Sequence, residues 1–189
     1  MAEFSTARQS LARLNARIAA ASDPVREAWL ATYRDHWWGE VVGDVAAVMR
    51  TMSREPIRYT FDGHPFMTSE GLARIETYED TRRMYQGVAD LGVKMAGPVD
   101  HERIAFDEHG IIIACILTAI YPALFLAGHS EPVDPDGIYL LRWPNVTMIR
   151  FDAAGLMMGE EILNGAPLVV KQVDRSLRDS LIDGPLPAV

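Results

Sequence analysis

Hydrophobic residues recur along the chain with two different periods, and the change from one to the other divides it. Through the first half they fall at steps of three and four, as in helices with one buried side. Leu11, Leu14 and Ile18 share a side of an N-terminal segment. A second helix has a clear start: Asp23 can cap it, and Pro24 suits the first helical position, where a missing N–H does no harm. From there Val25, Trp29, Tyr33, His36, Trp37 and Glu40 line one side. Gly43-Asp44 interrupts and recaps, so that Val45, Val48, Met49 and Met52 face inward until Pro56 ends the helix. The period then drops to two. Ile57, Tyr59 and Phe61 lie on one face of a strand, Arg58, Thr60 and Asp62 on the other. Ser69 to Gly92 returns to helical spacing, with Leu72, Ile75, Tyr78 and Met84 as its buried side.

The second half reads as strands. Gly110 to Gly128 is nearly all apolar, close to the ~20 residues that a bilayer-spanning helix needs. It follows the turn signature FDEHG, is dense in β-branched isoleucine, contains Pro122 and lacks Lys or Arg anchors. These features predict a buried strand, Ile111 to Tyr121, bending at Tyr121-Pro122 into a second, Ala123 to Ala127. After the loop HSEPVDPDG comes a strand from Ile138 to Phe151, with a bulge expected at Trp143-Pro144 because proline cannot donate to a ladder. FDEHG and FDAAG read as one hairpin device used twice, with Gly110 and Gly155 at positive φ. The expected organisation is a helical extension over 1–22, one domain over 23–164, and a tail over 165–189 that holds a short helix and packs on the domain.

Composition narrows the partners. A formal net charge of −8 with no run of Lys or Arg would repel a phosphate backbone, which disfavours nucleic acid. Cys115 is the sole cysteine, so no intrachain disulfide can form. HExxH, CxxC, GxGxxG and P-loop patterns are absent, and neither a metal nor a nucleotide cofactor is expected. The N-terminal segment alternates charge with small residues and lacks the apolar core of a signal peptide, so the expected location is the cytoplasm, away from membranes.

Helix, Gly-Asp, helix, IRYTF strand, helix and then hairpins closing on MIRFDAAGLMMGEEI form an order that resembles the NTF2-like superfamily, with its SnoaL-like, ketosteroid-isomerase-like and scytalone-dehydratase-like enzymes. The resemblance runs from about Pro24 to Leu163, and its most specific marks are VVGDVAAVM and RFDAAGL. It implies an α+β cone: a strongly curved antiparallel sheet wrapped around helices, with a deep apolar pocket of which the Gly110–Gly128 run is a wall.

Such a fold hosts several chemistries, so function rests on polar residues that face the pocket. The resembling dehydratases carry a pocket histidine near His101, and an imidazole near neutral pH can take and return a proton. They also carry a tyrosine on the second helix that binds the substrate oxygen; here Tyr33 or His36 takes that place. Tyr59 is a further hydroxyl on the inward face of its strand. The isomerase branch places aspartates where this chain has Thr147 and the Tyr59–Phe61 stretch, which disfavours a steroid isomerase. Glu160 shares a face with Met158 and Ile162; if that face is inward, burial raises its pKa and makes it a usable base, with Glu161 as the alternative. Trp29, Trp37, Phe61, Trp143, Thr147 and Met158 would contact the ligand. His64, His109 and His129 are secondary: one at the mouth, one in a solvated turn, one in a lid-like loop. The reading is a cofactor-independent lyase, by dehydration or C–C cleavage such as deformylation, or an isomerase. Its substrate would be a hydrophobic aromatic or polycyclic hydroxylated molecule, and its state a homodimer or homotrimer. The alternatives are a non-catalytic binding protein and a scaffolding subunit resembling the β subunit of ring-hydroxylating oxygenases.

Overall fold

The computed structural model describes residues 4–62, 75–126 and 132–184; Leu72, His64 and His129 lie outside them. Helix α1 (Ala7–Ala19) begins at a capping box in which Thr6 and Gln9 satisfy each other's backbone N–H groups. Helix α2 (Pro24–Val42) starts where Asp23 accepts from the Val25 and Arg26 amides, and stops at Gly43 with φ 76°. Asp44 recaps the chain at once by accepting from the Ala47 amide, giving α3 (Val45–Arg50). Strand β1 (Arg58–Asp62) follows. Helix α4 (Tyr78–Asp90) is shorter than its periodicity predicts. Thr77 caps it by accepting from the Asp80 amide, and Ile75 instead pairs in an antiparallel bridge with Tyr59.

The remaining strands are β2 (Val99–Phe106), β3 (Gly110–Pro122), β4 (Ile138–Phe151), β5 (Met157–Asn164) and β6 (Val169–Val173), and α5 (Leu177–Asp183) ends the described chain. They form one curved, open six-stranded sheet in the order β1-β5-β4-β3-β2. β4 is long enough to pair with β5 along one half and β6 along the other. Among the strand pairs of the described residues, β1–β5 alone is parallel.

The apolar run is indeed a strand, paired on both edges by β2 and β4. Its predicted second strand is instead a single 3-10 turn, Ala123–Leu126. Pro122 pairs with Ile138, the first residue of β4, so a continuing strand would have no partner on that side. Among the described residues no helix is long and apolar enough to cross a membrane. The expected bulge at Pro144 is also absent, since the β3–β4 register runs through it unbroken. Pro144 falls where β4 changes partner from β5 to β6, so the N–H it lacks has no ladder to serve. Gly155 has the expected positive φ of 76°, whereas Gly110 does not. Glycine is needed at 110 because a Cβ there would collide with the Ile149 carbonyl oxygen.

The concave face of the sheet buries Ile111, Ile113, Ile149 and Met157 against Leu14, Leu30, Trp37 and Val48 of the helices. Each such side chain contributes about 1.5–3 kcal/mol relative to exposure. The helices close over the sheet without filling it, and a cavity of about 150 Å³ remains.

Candidate active site

Strand alternation would turn His101 inward, and a β-bulge prevents it. Asp100 pairs with Ile116 and Arg103 with Ala114, so His101 and Glu102 together oppose the single residue Cys115. His101 takes up the extra length at φ 54°, in the left-handed region, and is exposed outside the cavity. The expectation that it faces the pocket is therefore corrected. Glu102 turns inward in its place, its side chain 5% exposed and 3.8 Å from Arg17. Burial raises the Glu102 pKa, against the lowering effects of Arg17, Arg13 and the Tyr33 hydroxyl that bonds to it. Tyr33 lines the cavity on this side.

A second bulge decides the fate of Met158. Ile149 pairs with Glu160 and Phe151 with Met157, so Met158 and Gly159 together oppose Arg150. Gly159 has φ 101°, and a Cβ there would collide with the Arg58 carbonyl oxygen, so no other residue fits without strain. The extra residue reverses the facing of what precedes it. Glu160 and Ile162 line the cavity, while Met158 lines a separate groove with Arg58, Arg150 and Glu161 that Glu160 also borders, contrary to its predicted inward face. Trp29 also misses the cavity and stacks on Phe151 at 5.4 Å. Trp37, Tyr59, Phe61, Trp143 and Thr147 line it.

Glu160 stands at the centre of a polar cluster at the helix-closed end. Its register partner in β1 is Tyr59. His36 Nε2 lies 3.0 Å from the Tyr85 hydroxyl, which donates to Glu40 Oε1 at 2.7 Å and lies 3.3 Å from the Tyr59 hydroxyl. Protons can be assigned along this chain. The Thr51 hydroxyl donates to the Val48 carbonyl at 2.6 Å, so Thr51 Oγ1 must accept from His36 Nδ1 at 2.8 Å. With the Tyr85 hydrogen given to Glu40, the Tyr85 oxygen is free to accept from His36 Nε2. Both ring nitrogens therefore face acceptors, an arrangement that favours the protonated ring. Burial alone would lower its pKa, but the Glu40 carboxylate 3.6 Å away, with Glu160 behind, outweighs this and raises it. Glu160 is pushed up to about 7, chiefly by desolvation and then by Glu40, with His36 opposing. Tyr59 and Tyr85 are raised well above the usual phenol range by burial and stay hydrogen-bond donors.

Spacing in the sequence disclosed no metal set, yet the fold brings ligand-type atoms of His36, Glu40 and Glu160 within 4.8 Å of one another. These three could hold a divalent cation only if it displaced the Tyr85 hydroxyl from His36 Nε2. Glu40 and Tyr85 were not singled out from the sequence as site residues. Glu40 was legible one turn beyond His36 on the same helix side, and Tyr85 continues the 78/81/85 spacing of α4.

No protein-family model and no curated protein matches this sequence. Solved structures do match. A provisionally named SnoaL-like polyketide cyclase from Shewanella putrefaciens CN-32 superposes with a TM-score of 0.56 at 11% identity, covering 87% of this chain and 91% of its own. Another, from Jannaschia sp. CCS1, gives 0.54 at 17% identity over 88% of this chain and 99% of its own. At such low identity the likeness shows the fold alone: the chain has the curved-sheet α+β fold of these SnoaL-like proteins.

Proposed function

We propose that the protein is a cofactor-independent lyase or isomerase that works by general acid–base catalysis on a hydrophobic aromatic or polycyclic oxygenated molecule. The observation that carries this reading is the Glu160 carboxyl, held near neutral pKa in an apolar cavity beside two tyrosine hydroxyls. A base with a pKa near the working pH is half ionised and also accepts protons with useful driving force. Ionised Glu160 takes a proton from a carbon next to a carbonyl, and the electrons pass to the carbonyl oxygen. Tyr59 is the donor to that oxygen: its own contacts are weak, 3.7 Å to Met52 Sδ and 3.3 Å to Tyr85. Glu160 then returns the proton, to another carbon in an isomerisation or to a departing hydroxyl in a dehydration, which releases water. His36, Tyr85 and Glu40 hold the donor side in place and set the charge that Glu160 feels.

The test uses α-tetralone, an apolar aryl ketone, in D2O. The protein should catalyse exchange of its α-hydrogens for deuterium, read by proton NMR. Glu160→Gln should lower that rate by about 10²–10⁴, the usual share of a general base. An exchange rate equal to the buffer's, or a Gln variant as fast as wild type, would overturn the reading.

A further inference from the structure

The polar cluster at the helix-closed end of the cavity is built from side chains of the kind that bind metals. His36 and Glu40 stand one turn apart on α2, and Glu160 meets them from β5. Ligand-type atoms of the three lie within 4.8 Å of one another, and His36 Nε2 is 3.6 Å from Glu40 Oε1. Bonds of ~2.1 Å at tetrahedral angles hold ligand atoms ~3.4 Å apart, so small carboxylate rotations close the set around one ion. The imidazole is already aimed. Its Nδ1 lies 2.8 Å from Thr51 Oγ1, and the Thr51 hydroxyl is anchored on the Val48 carbonyl at 2.6 Å. Histidine ligands are oriented in this manner, through a hydrogen bond from the nitrogen that does not bind the metal. The surroundings favour a cation as well. The His36 side chain is 1% exposed, and among the described residues no Lys or Arg lines the cavity. Two carboxylates in so dry a place attract a dication more strongly than they would in water. Glu40, Tyr85 and Glu160 all line the cavity, which gives the ion a way in and the Tyr85 ring room to turn.

We propose that His36, Glu40 and Glu160 form a binding site for a first-row transition dication such as Zn2+, and that this ion inhibits the protein by taking Glu160 from its substrate. One imidazole and two carboxylates suit Zn2+, with a water in the fourth position towards the cavity. The ion takes the place of the Nε2 hydrogen, which leaves to solvent, and the Tyr85 hydroxyl turns away with its own hydrogen. The charge of the dication cancels that of the two carboxylates. Mg2+ and Ca2+ do not fit, because they require six or more oxygen ligands and His36 offers nitrogen. The ion is a competitor for the base and takes no part in the proposed reaction, since a carboxylate oxygen bonded to metal cannot also take a proton from carbon. The site itself stands on geometry alone, while the inhibition rests on the acid–base reading above.

Titration of the intact, chelator-stripped chain with Co2+ tests the site without any turnover, because Co2+ accepts zinc's ligands and its visible absorption changes when they replace water. A single Co2+ should bind per chain, and Zn2+ should displace it where about a hundredfold excess of Mg2+ does not. His36→Gln, Glu40→Gln and Glu160→Gln should each weaken Co2+ binding at least ~100-fold, since loss of a mere supporting partner already costs about 10–100-fold. His109→Ala, which removes the exposed His109–Glu108 pair, should leave it unchanged. No change in the Co2+ spectrum at about 1 mM, displacement by Mg2+, a ligand variant that binds like wild type, or a site lost with His109 would overturn the proposal. If the two helix variants do not fold, Glu160→Gln alone decides. Saturating Zn2+ should bring α-tetralone exchange down to the buffer's rate, and undiminished exchange in the Zn2+-bound protein would overturn the inhibition. A Co2+ site in a protein that shows no exchange even when metal-free would sink the catalytic reading and leave the site standing.

Discussion

Replacing Glu160 with glutamine should make the protein more stable in mildly alkaline buffer, an unusual result for a proposed catalytic residue. The carboxyl is moved from an ordinary value of 4.5 to about 7. At ~1.4 kcal/mol per unit this amounts to ~3 kcal/mol. The folded state holds the proton more tightly than the unfolded state does. The stabilisation is therefore fully present below about 4.5 and is lost as pH rises through about 7. Glutamine keeps the shape and has no proton to lose. Wild type and Glu160→Gln should differ by less than about 1 kcal/mol at pH 5, and by up to ~3 kcal/mol in favour of the variant above pH 8. In a domain of this size that is a gain of roughly 6–12 °C in Tm. Urea or thermal unfolding of both proteins across pH 5 to 8.5 measures it, and groups remote from the site cancel in the difference. A difference that does not change with pH would refute the assignment of a raised pKa. A variant less stable than wild type at pH 8 would show that the ionised carboxylate is well solvated or paired, and that the cavity is not the desolvating site described here.

Three further outcomes follow from the strands. Gly159→Ala should destabilise the fold by several kcal/mol in urea unfolding, because strain at positive φ and collision with the Arg58 carbonyl add together; a loss under about 1 kcal/mol would mean the bulge relaxes freely. His101→Gly should leave deuterium exchange unchanged and raise stability by up to about 1 kcal/mol, since a left-handed side-chain residue costs ~1–2 kcal/mol and glycine's chain entropy offsets part of it; a collapse of exchange would return His101 to the site. Cys115 lines the cavity and its thiol is pushed up to about 12 by burial, so an aromatic disulfide reagent should react at least tenfold more slowly with folded than with urea-unfolded protein. Equal rates would place the thiol in open solvent.

Local rules written in the chain were enough for its first three helices and for the polarity of most strands. Asp23 and Pro24 start α2, Gly43-Asp44 breaks and recaps it, and alternation puts Tyr59 and Phe61 on one face of β1. Each of these depends on neighbours a few residues away, so the sequence by itself determined them. The same holds for the resemblance to NTF2-like proteins, carried by the order of elements. Which way His101, Glu102 and Met158 face was a different matter. Two bulges, at His101-Glu102 opposite Cys115 and at Met158-Gly159 opposite Arg150, each insert one residue and reverse the facing of a strand. A bulge is a mismatch between two strands, so its position depends on the partner's register, and a period-two reading of one strand contains no trace of it. That is why His101 was expected inside and is exposed, and why Glu102 is the buried member of the pair. The polar cluster is likewise tertiary. His36 and Glu40 of α2, Thr51 beyond α3, Tyr85 of α4 and Glu160 of β5 meet only because the helices close over the curved sheet. The near-neutral pKa of Glu160 then arises from desolvation and a second carboxylate brought close in space, neither of which any stretch of chain encodes alone.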